Sequence, residues 1–66
     1  MFELYEIWAE DDIGHQELID TTKSRTEAFK IAERCVNEDG YAECIVFQEN
    51  EDGDAIIIKK FQKKPS

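Results

Sequence analysis

The fold is decided by residues 24–36, which read Ser-Arg-Thr-Glu-Ala-Phe-Lys-Ile-Ala-Glu-Arg-Cys-Val. Apolar side chains recur there at the spacing of one helix face, namely Ala28, Ile31, Ala32, Cys35 and Val36. Ser24 and Glu27 match the Ser-x-x-Glu capping box, in which the hydroxyl accepts from the Glu27 amide and the carboxylate reaches back. We therefore predict an amphipathic helix that begins after Ser24 and ends in left-handed geometry at Asn37 or Gly40.

Two pairs of strands flank this helix, and each pair turns at an acidic stretch that contains a glycine. The predicted strands are rich in aromatic and β-branched residues and cover residues 2–9, 15–22, 41–49 and 54–61. Glu10–Gly14 forms the first turn, and Asn50–Gly53 forms the second with a strong Asp-Gly hairpin signal. This order predicts an α+β domain of the ββαββ type over residues 1–61, with one helix on a four-stranded, mainly antiparallel sheet. Residues 62–66 are predicted to be a polar tail.

The strands carry large apolar side chains on both faces of the predicted sheet, whereas one helix covers only one face. Alternate residues of a strand point to opposite faces. One set consists of Phe2, Leu4, Trp8, Ile45, Phe47, Ile57 and Phe61, and the opposite set of Tyr5, Ile7, Cys44, Val46, Ile56 and Ile58. The pattern leaves open which face lies under the helix. Because the second face needs a cover, we expect the first set to form an interaction surface, with a face-to-face homodimer as one outcome.

Charge is divided unevenly along the 66 residues, which carry a net charge of −8. All sixteen acids lie in residues 1–58 together with four bases, which leaves −12, whereas the last eight residues carry four lysines and no acid. A body this acidic repels nucleic acid and attracts a basic protein surface. We therefore add the acidic turn residues Glu10, Asp11 and Asp12 to the candidate interaction surface.

The sequence contains no pattern that indicates an enzyme, a cofactor or a metal. The Asn50–Gly53 turn superficially resembles a calcium loop, but with Gly53 at the sixth position Lys59 takes the place of the bidentate glutamate. His15 is the sole histidine, and the three glycines are isolated at turns. Cys35 and Cys44 belong to no Cys-x-x-Cys pair, so we predict two buried, reduced thiols.

Two features of the sequence lead us to expect a cytoplasmic location. There is no run of 18 apolar residues, so no membrane span is predicted. The N-terminal residues carry acid where a signal peptide needs base.

The join Thr21-Thr22-Lys23-Ser24-Arg25-Thr26-Glu27-Ala28, followed by the Asp52-Gly53 hairpin, resembles several families of very small bacterial and phage ββαββ domains. The resemblance covers most of the chain and implies the architecture. These families share no agreed activity, so the resemblance implies no site residues. The two-sided strands and the acidic charge, not this resemblance, lead to two hypotheses of function: a non-enzymatic protein-interaction module, and a nucleic-acid mimic whose carboxylates block a basic groove, as phage-encoded inhibitors do.

The chain direction predicts where the charges meet. An up–down–up–down–up path through the five elements brings Glu10–Asp12, Glu38, Asp39 and the C-terminal lysines to the same end of the molecule. We therefore predict that the lysines partly neutralise this acidic end.

Overall fold

The computed structural model describes residues 4–63. It contains strand β1 (Leu4–Glu10), strand β2 (Gln16–Thr22), helix α1 (Arg25–Asn37), strand β3 (Glu43–Glu49) and strand β4 (Ala55–Gln62). The predicted α+β class and the ββαββ order are confirmed. β4 continues one residue past the predicted end of the domain, and the prediction for Phe2 lies outside the described residues.

The four strands form one antiparallel sheet in the order β2-β1-β3-β4. The two hairpins are joined through α1 so that β1 lies beside β3, with Leu4 opposite Glu49 and Glu10 opposite Glu43. The helix lies across one face of the sheet and contacts all four strands. The molecule is therefore two layers thick, with a shortest dimension of 15 Å.

Helix α1 begins where the capping pattern predicts, although only half of the capping box forms. The Ser24 hydroxyl accepts a hydrogen bond from the Glu27 amide at 3.2 Å. The Ser24 amide donates to the Thr22 hydroxyl at 3.1 Å, which takes the place predicted for the Glu27 carboxylate. At the other end Gly40 adopts the predicted left-handed geometry with φ of +79°.

The hydrophobic core lies between α1 and the covered face of the sheet. It consists of Tyr5, Ile7, Ala9, Ala28, Ala32, Cys35, Val36, Cys44 and Val46. The helix contributes mainly small side chains, so its backbone can lie close to the strands. The structure thus decides what the sequence pattern left open: Tyr5, Ile7, Cys44 and Val46 face the helix, and the set that contains Trp8 faces away from it.

A β-bulge in β4 overturns one part of the face assignment. Val46 pairs with Lys59, but the next residue, Phe47, pairs with Ile57, so Ile58 is the extra residue. The alternation shifts by one position there, and Phe61 lies opposite Cys44 on the covered face. The prediction that Phe61 shares a face with Ile57 is therefore wrong. Its ring contacts Phe29 of α1 edge to face at a centroid distance of 6.0 Å.

Candidate protein-binding face

The sheet surface opposite α1, which we call the open face, carries apolar side chains from all four strands. In β-sheet pairing, directly opposed residues share a face and lie within contact distance. Trp8 is opposed by Leu18 of β2 and by Ile45 of β3, and Phe47 is opposed by Ile57 of β4. The apolar set is Leu4, Trp8, Leu18, Ile45, Phe47 and Ile57.

The centre of the open face is closely packed although no second layer covers it. Ile45 is only 7% exposed, so its neighbours on the face close over it. Leu18 and Ile57 on the two edge strands are 46% and 51% exposed. The centre is therefore closely packed, and apolar surface remains exposed at its two edges.

Glutamates are interleaved with this apolar set. Alternation along β1 and β3 places Glu6 and Glu10, and Glu43 and Glu49, on the open face. Lys60, opposite Ile45, contributes one positive charge to the same face. The open face therefore carries negative potential around an apolar centre.

A polar row crosses all four strands at one end of this face. Glu10 lies directly opposite Glu43, which places like charges side by side, an arrangement that is unfavourable in isolation. Each carboxylate accepts from an edge-strand amide, Glu10 from Gln16 at 2.9 Å and Glu43 from Gln62 at 3.4 Å. The glutamine amides thus provide partial compensation for the two adjacent negative charges.

A shallow groove lies within the open face. It has a volume of about 290 Å³ and is lined by Glu6, Trp8, Gln16, Phe47 and Ala55. The Trp8 indole N–H donates to Glu6 Oε1 at 3.1 Å, so a carboxylate and an aromatic ring are held side by side in its wall. The groove opens to solvent and combines aromatic, amide and carboxylate groups.

The acidic turn between β1 and β2 serves chiefly to form the turn itself. Asp11 Oδ1 accepts from the amides of Ile13 and His15 at 3.1 and 2.9 Å, which closes the loop. Asp12 is exposed beside it. Only Glu10 of the three predicted acidic residues belongs to the open face, and the other two lie in the adjoining turn.

The two cysteines are buried, as predicted, and their thiols are in contact. Burial raises the pKa of Cys35, while a hydrogen bond with the Cys44 thiol opposes part of this increase. Burial, assisted by repulsion from Cys35, raises the pKa of Cys44 to about 12. Thiols with raised pKa values carry little of the reactive thiolate at neutral pH. The pair therefore serves as small core side chains.

The open face brings together most of the residues that the sequence predicts for it: Leu4, Trp8, Glu10, Ile45, Phe47 and Ile57. It also includes residues that the sequence reasoning missed, namely Glu6, Gln16, Leu18, Glu43, Glu49, Ala55, Lys60 and Gln62. Glu6 could have been found, because it alternates with Trp8 along β1. Leu18, Gln16 and Ala55 required the strand order and the pairing register.

No family model, curated protein or solved structure matches this chain. Within residues 4–63, no group of three or more histidine, cysteine, aspartate or glutamate side chains is arranged to hold a metal ion. In the same part of the chain, no helix has the length and apolar character needed to cross a membrane. The fold and the open face define the class as a small two-layer α+β domain with one covered and one uncovered sheet face.

Proposed function

We propose that this chain is a non-enzymatic protein-interaction module whose open face binds a basic protein surface. The observation that carries the proposal is the uncovered apolar set interleaved with four glutamates. Interfaces combine an apolar centre with a polar rim, and aromatic residues are enriched at their centres. Trp8 and Phe47 supply the aromatic centre, and the glutamates would select a partner that carries lysine or arginine.

A basic partner suits this face better than a second copy of the chain. In a face-to-face dimer, the four glutamates and one lysine of one copy would lie against the same five charged residues of the other copy. Like charges that are brought together across an interface cost free energy. The homodimer is therefore the competing occupant, and salt should favour it because salt screens the repulsion.

The nucleic-acid mimic is the alternative from a different class. A mimic presents carboxylates in place of a continuous row of phosphates, so its binding should be mainly electrostatic. On the open face, Glu6 and Glu10 are instead separated by Trp8, and Glu43 and Glu49 by Ile45 and Phe47. Binding through such a mixed surface should persist in salt, whereas mimicry should weaken strongly.

The two cysteines support both the proposed non-enzymatic role and a cytoplasmic location. Cys35 and Cys44 are free and buried, which suits a reducing compartment and is unfavourable for nucleophilic catalysis. His15 is exposed in a turn, with its amide bonded to Asp11.

Affinity capture with matched variants tests the proposal. The wild-type chain is compared with Leu18→Thr/Ile57→Thr, which removes exposed apolar side chains from the two edges of the open face and keeps good strand formers there. Ile13→Thr is the control, because Ile13 is 89% exposed but lies in the turn. Capture is performed at about 0.1 M and about 1 M salt, where screening lengths are about 10 and 3 Å.

We expect the wild type and Ile13→Thr to capture a basic protein at both salt concentrations. The variant Leu18→Thr/Ile57→Thr should not capture it. Retention by the double variant would contradict the use of the open face. Capture that disappears at high salt for all three chains would favour the mimic. Sedimentation equilibrium of the purified chain completes the test, since a stable dimer that strengthens with salt would assign the face to a second copy.

A further inference from the structure

We propose that the groove of the open face receives an arginine side chain of the basic partner. This inference rests on the proposed function and names the group that the surface recognises. It follows from the size of the groove, from the aromatic rings in its wall and from the charge beside them.

The size of the groove favours a single side chain over a free cofactor. Pockets that hold small-molecule ligands typically enclose about 300–1,000 Å³ and surround most of the ligand. This groove encloses about 290 Å³ and is open to solvent. A side chain that arrives attached to a partner needs no such enclosure, because the rest of the interface holds it in place.

The aromatic rings favour a cation. Trp8 and Phe47 line the groove, and tryptophan is the aromatic side chain that attracts a cation most strongly over its face. The hydrogen bond from the Trp8 indole to Glu6 fixes the ring beside a carboxylate. A cation in the groove therefore has an aromatic ring and an opposite charge within reach at once.

The carboxylates retain capacity to accept further hydrogen bonds. An ionised carboxylate has about four lone-pair positions, and the Trp8 indole occupies one of those on Glu6. Glu10, which follows Trp8 by two residues on the same face of β1, is bonded to Gln16, which itself lines the groove. The negative charge at one end of the groove is thus extended by the polar row that contains Glu10 and Glu43.

Arginine fits this combination better than lysine. A guanidinium is planar, stacks on aromatic rings and presents a fork of donors that matches a carboxylate. An ammonium is compact and strongly hydrated, so it gains less from a half-open aromatic groove. Ala55 at the far wall is the smallest lining residue and leaves room for the stem of an incoming side chain.

A titration with a single-residue probe tests the inference on the purified chain. The probe is Nα-acetyl-arginine N-methylamide, and its controls are the corresponding citrulline and lysine derivatives, all at constant ionic strength. Trp8 is the sole tryptophan of the chain, so its fluorescence and its indole N–H resonance report on the groove alone. We expect saturable changes with the arginine derivative, and an affinity at least about threefold weaker for the neutral citrulline derivative.

Three variants locate the binding. Glu6→Gln should weaken binding of the arginine derivative by about two- to fivefold, the range of a partly exposed charge pair. Ala55→Leu should fill the groove, so that the arginine derivative no longer produces saturable changes. An NMR spectrum of a folded chain with unshifted core resonances would identify this loss as steric exclusion. Glu33→Gln removes the same charge from the exposed side of α1, which is on the other side of the sheet, and should leave the affinity unchanged.

Equal responses to arginine and citrulline would overturn the inference, as would equal losses with Glu6→Gln and Glu33→Gln. A chain that captures a basic protein through Leu18 and Ile57 but ignores the arginine derivative would refute the arginine groove and leave the proposed function standing. A chain that binds the arginine derivative but captures no protein through the open face would refute the proposed function instead.

Discussion

Among the described residues 4–63, Cys44 is one whose ionisation is strongly altered by the fold. It has no exposed surface and lies against the Cys35 thiol. The ordinary pKa of a cysteine here is 9.0, and burial raises that of Cys44 to about 12. The unfolded chain therefore releases the Cys44 proton at a lower pH than the folded chain does.

This difference predicts a loss of stability in alkaline solution. Because the folded state holds the Cys44 proton more tightly, its contribution is fully present below pH 9 and is lost as the pH rises towards about 12. The urea midpoint of the wild type should fall through this window more steeply than that of Cys44→Ala, which should be the less stable chain below pH 9. Parallel curves would show that the ionisation of Cys44 is not linked to folding.

At the scale of single elements, the N-terminus of α1 shows which half of the capping box contributes. The Ser24 hydroxyl accepts from the Glu27 amide, whereas the Ser24 amide is satisfied by Thr22. Ser24→Ala should lower the free energy of unfolding by about 1 kcal/mol. Glu27→Gln should cost only about 0.3 kcal/mol, through the weaker interaction of its charge with the helix dipole. Chemical denaturation of both variants checks this, and equal losses would indicate that the carboxylate also caps.

The bulge in β4 predicts opposite behaviour for two of its apolar residues. Phe61 packs against the core and against Phe29, so Phe61→Ala should cost about 2–3 kcal/mol, below the range for a fully buried phenylalanine because this one is half-buried. Ile57 is 51% exposed on the open face, and Ile57→Ala should cost less than about 1 kcal/mol. Denaturation of the two variants distinguishes this register from an unbulged strand, in which Phe61 and Ile57 would share a face and lose similar amounts.

The same bulge shows where sequence reasoning succeeds and where it fails. Alternation predicts the faces of β1 and β3 correctly, because these central strands pair without a register shift. Both edge strands contain a bulge, opposite the Ile7–Trp8 and Val46–Phe47 steps, and alternation fails beyond such a point. Nothing in the local sequence of β4 marks Ile58 as the extra residue, since the two residues before it, Ile56 and Ile57, are also isoleucines.

The groove could not be predicted from the sequence, for a related reason. Trp8 and Glu6 are near each other along β1, but Gln16 and Ala55 join them only through the order β2-β1-β3-β4. That order depends on which strand pairs with which after the helix returns the chain, and propensity carries no information about it. The apolar and acidic character of the face could be predicted, whereas its groove could not.

At the scale of the whole molecule, the single helix leaves half of the sheet surface without a second layer. A chain of this size buries only about 60% of the surface that it exposes when unfolded. The core is correspondingly small, and three of its members are alanines. Exposed charges can therefore make a noticeable collective contribution to stability.

The predicted meeting of charges at one end is supported by the backbone. The Lys63 amide donates to the Ala42 carbonyl at 2.9 Å, and the Ala42 amide donates to the Glu10 carbonyl at 3.0 Å. The end of β4 thus lies beside the acidic turn that follows Glu10. This proximity does not by itself pair the lysines with the acidic residues. The Lys59 ammonium lies 5.6 Å from the centre of the Phe61 ring, and Lys64 lies outside the described residues.

We therefore predict a long-range effect of the lysines that depends on salt. Lys60→Gln/Lys63→Gln removes two positive charges from β4 and its end without shortening the strand, whereas deletion of residues 62–66 would also remove the Gln62 pairing and the Lys63 hydrogen bond. The control Lys23→Gln/Lys30→Gln removes the same charge from the helix and the segment before it.

At about 0.01 M salt, where the screening length is about 30 Å, Lys60→Gln/Lys63→Gln should melt below the control, by about 4–8 °C for each kcal/mol lost. At about 1 M salt, where the screening length is about 3 Å, the two should converge. An unchanged difference at both salt concentrations would mean that these lysines act through packing, as Lys59 does over Phe61, and that the acidic end is not neutralised by its own chain.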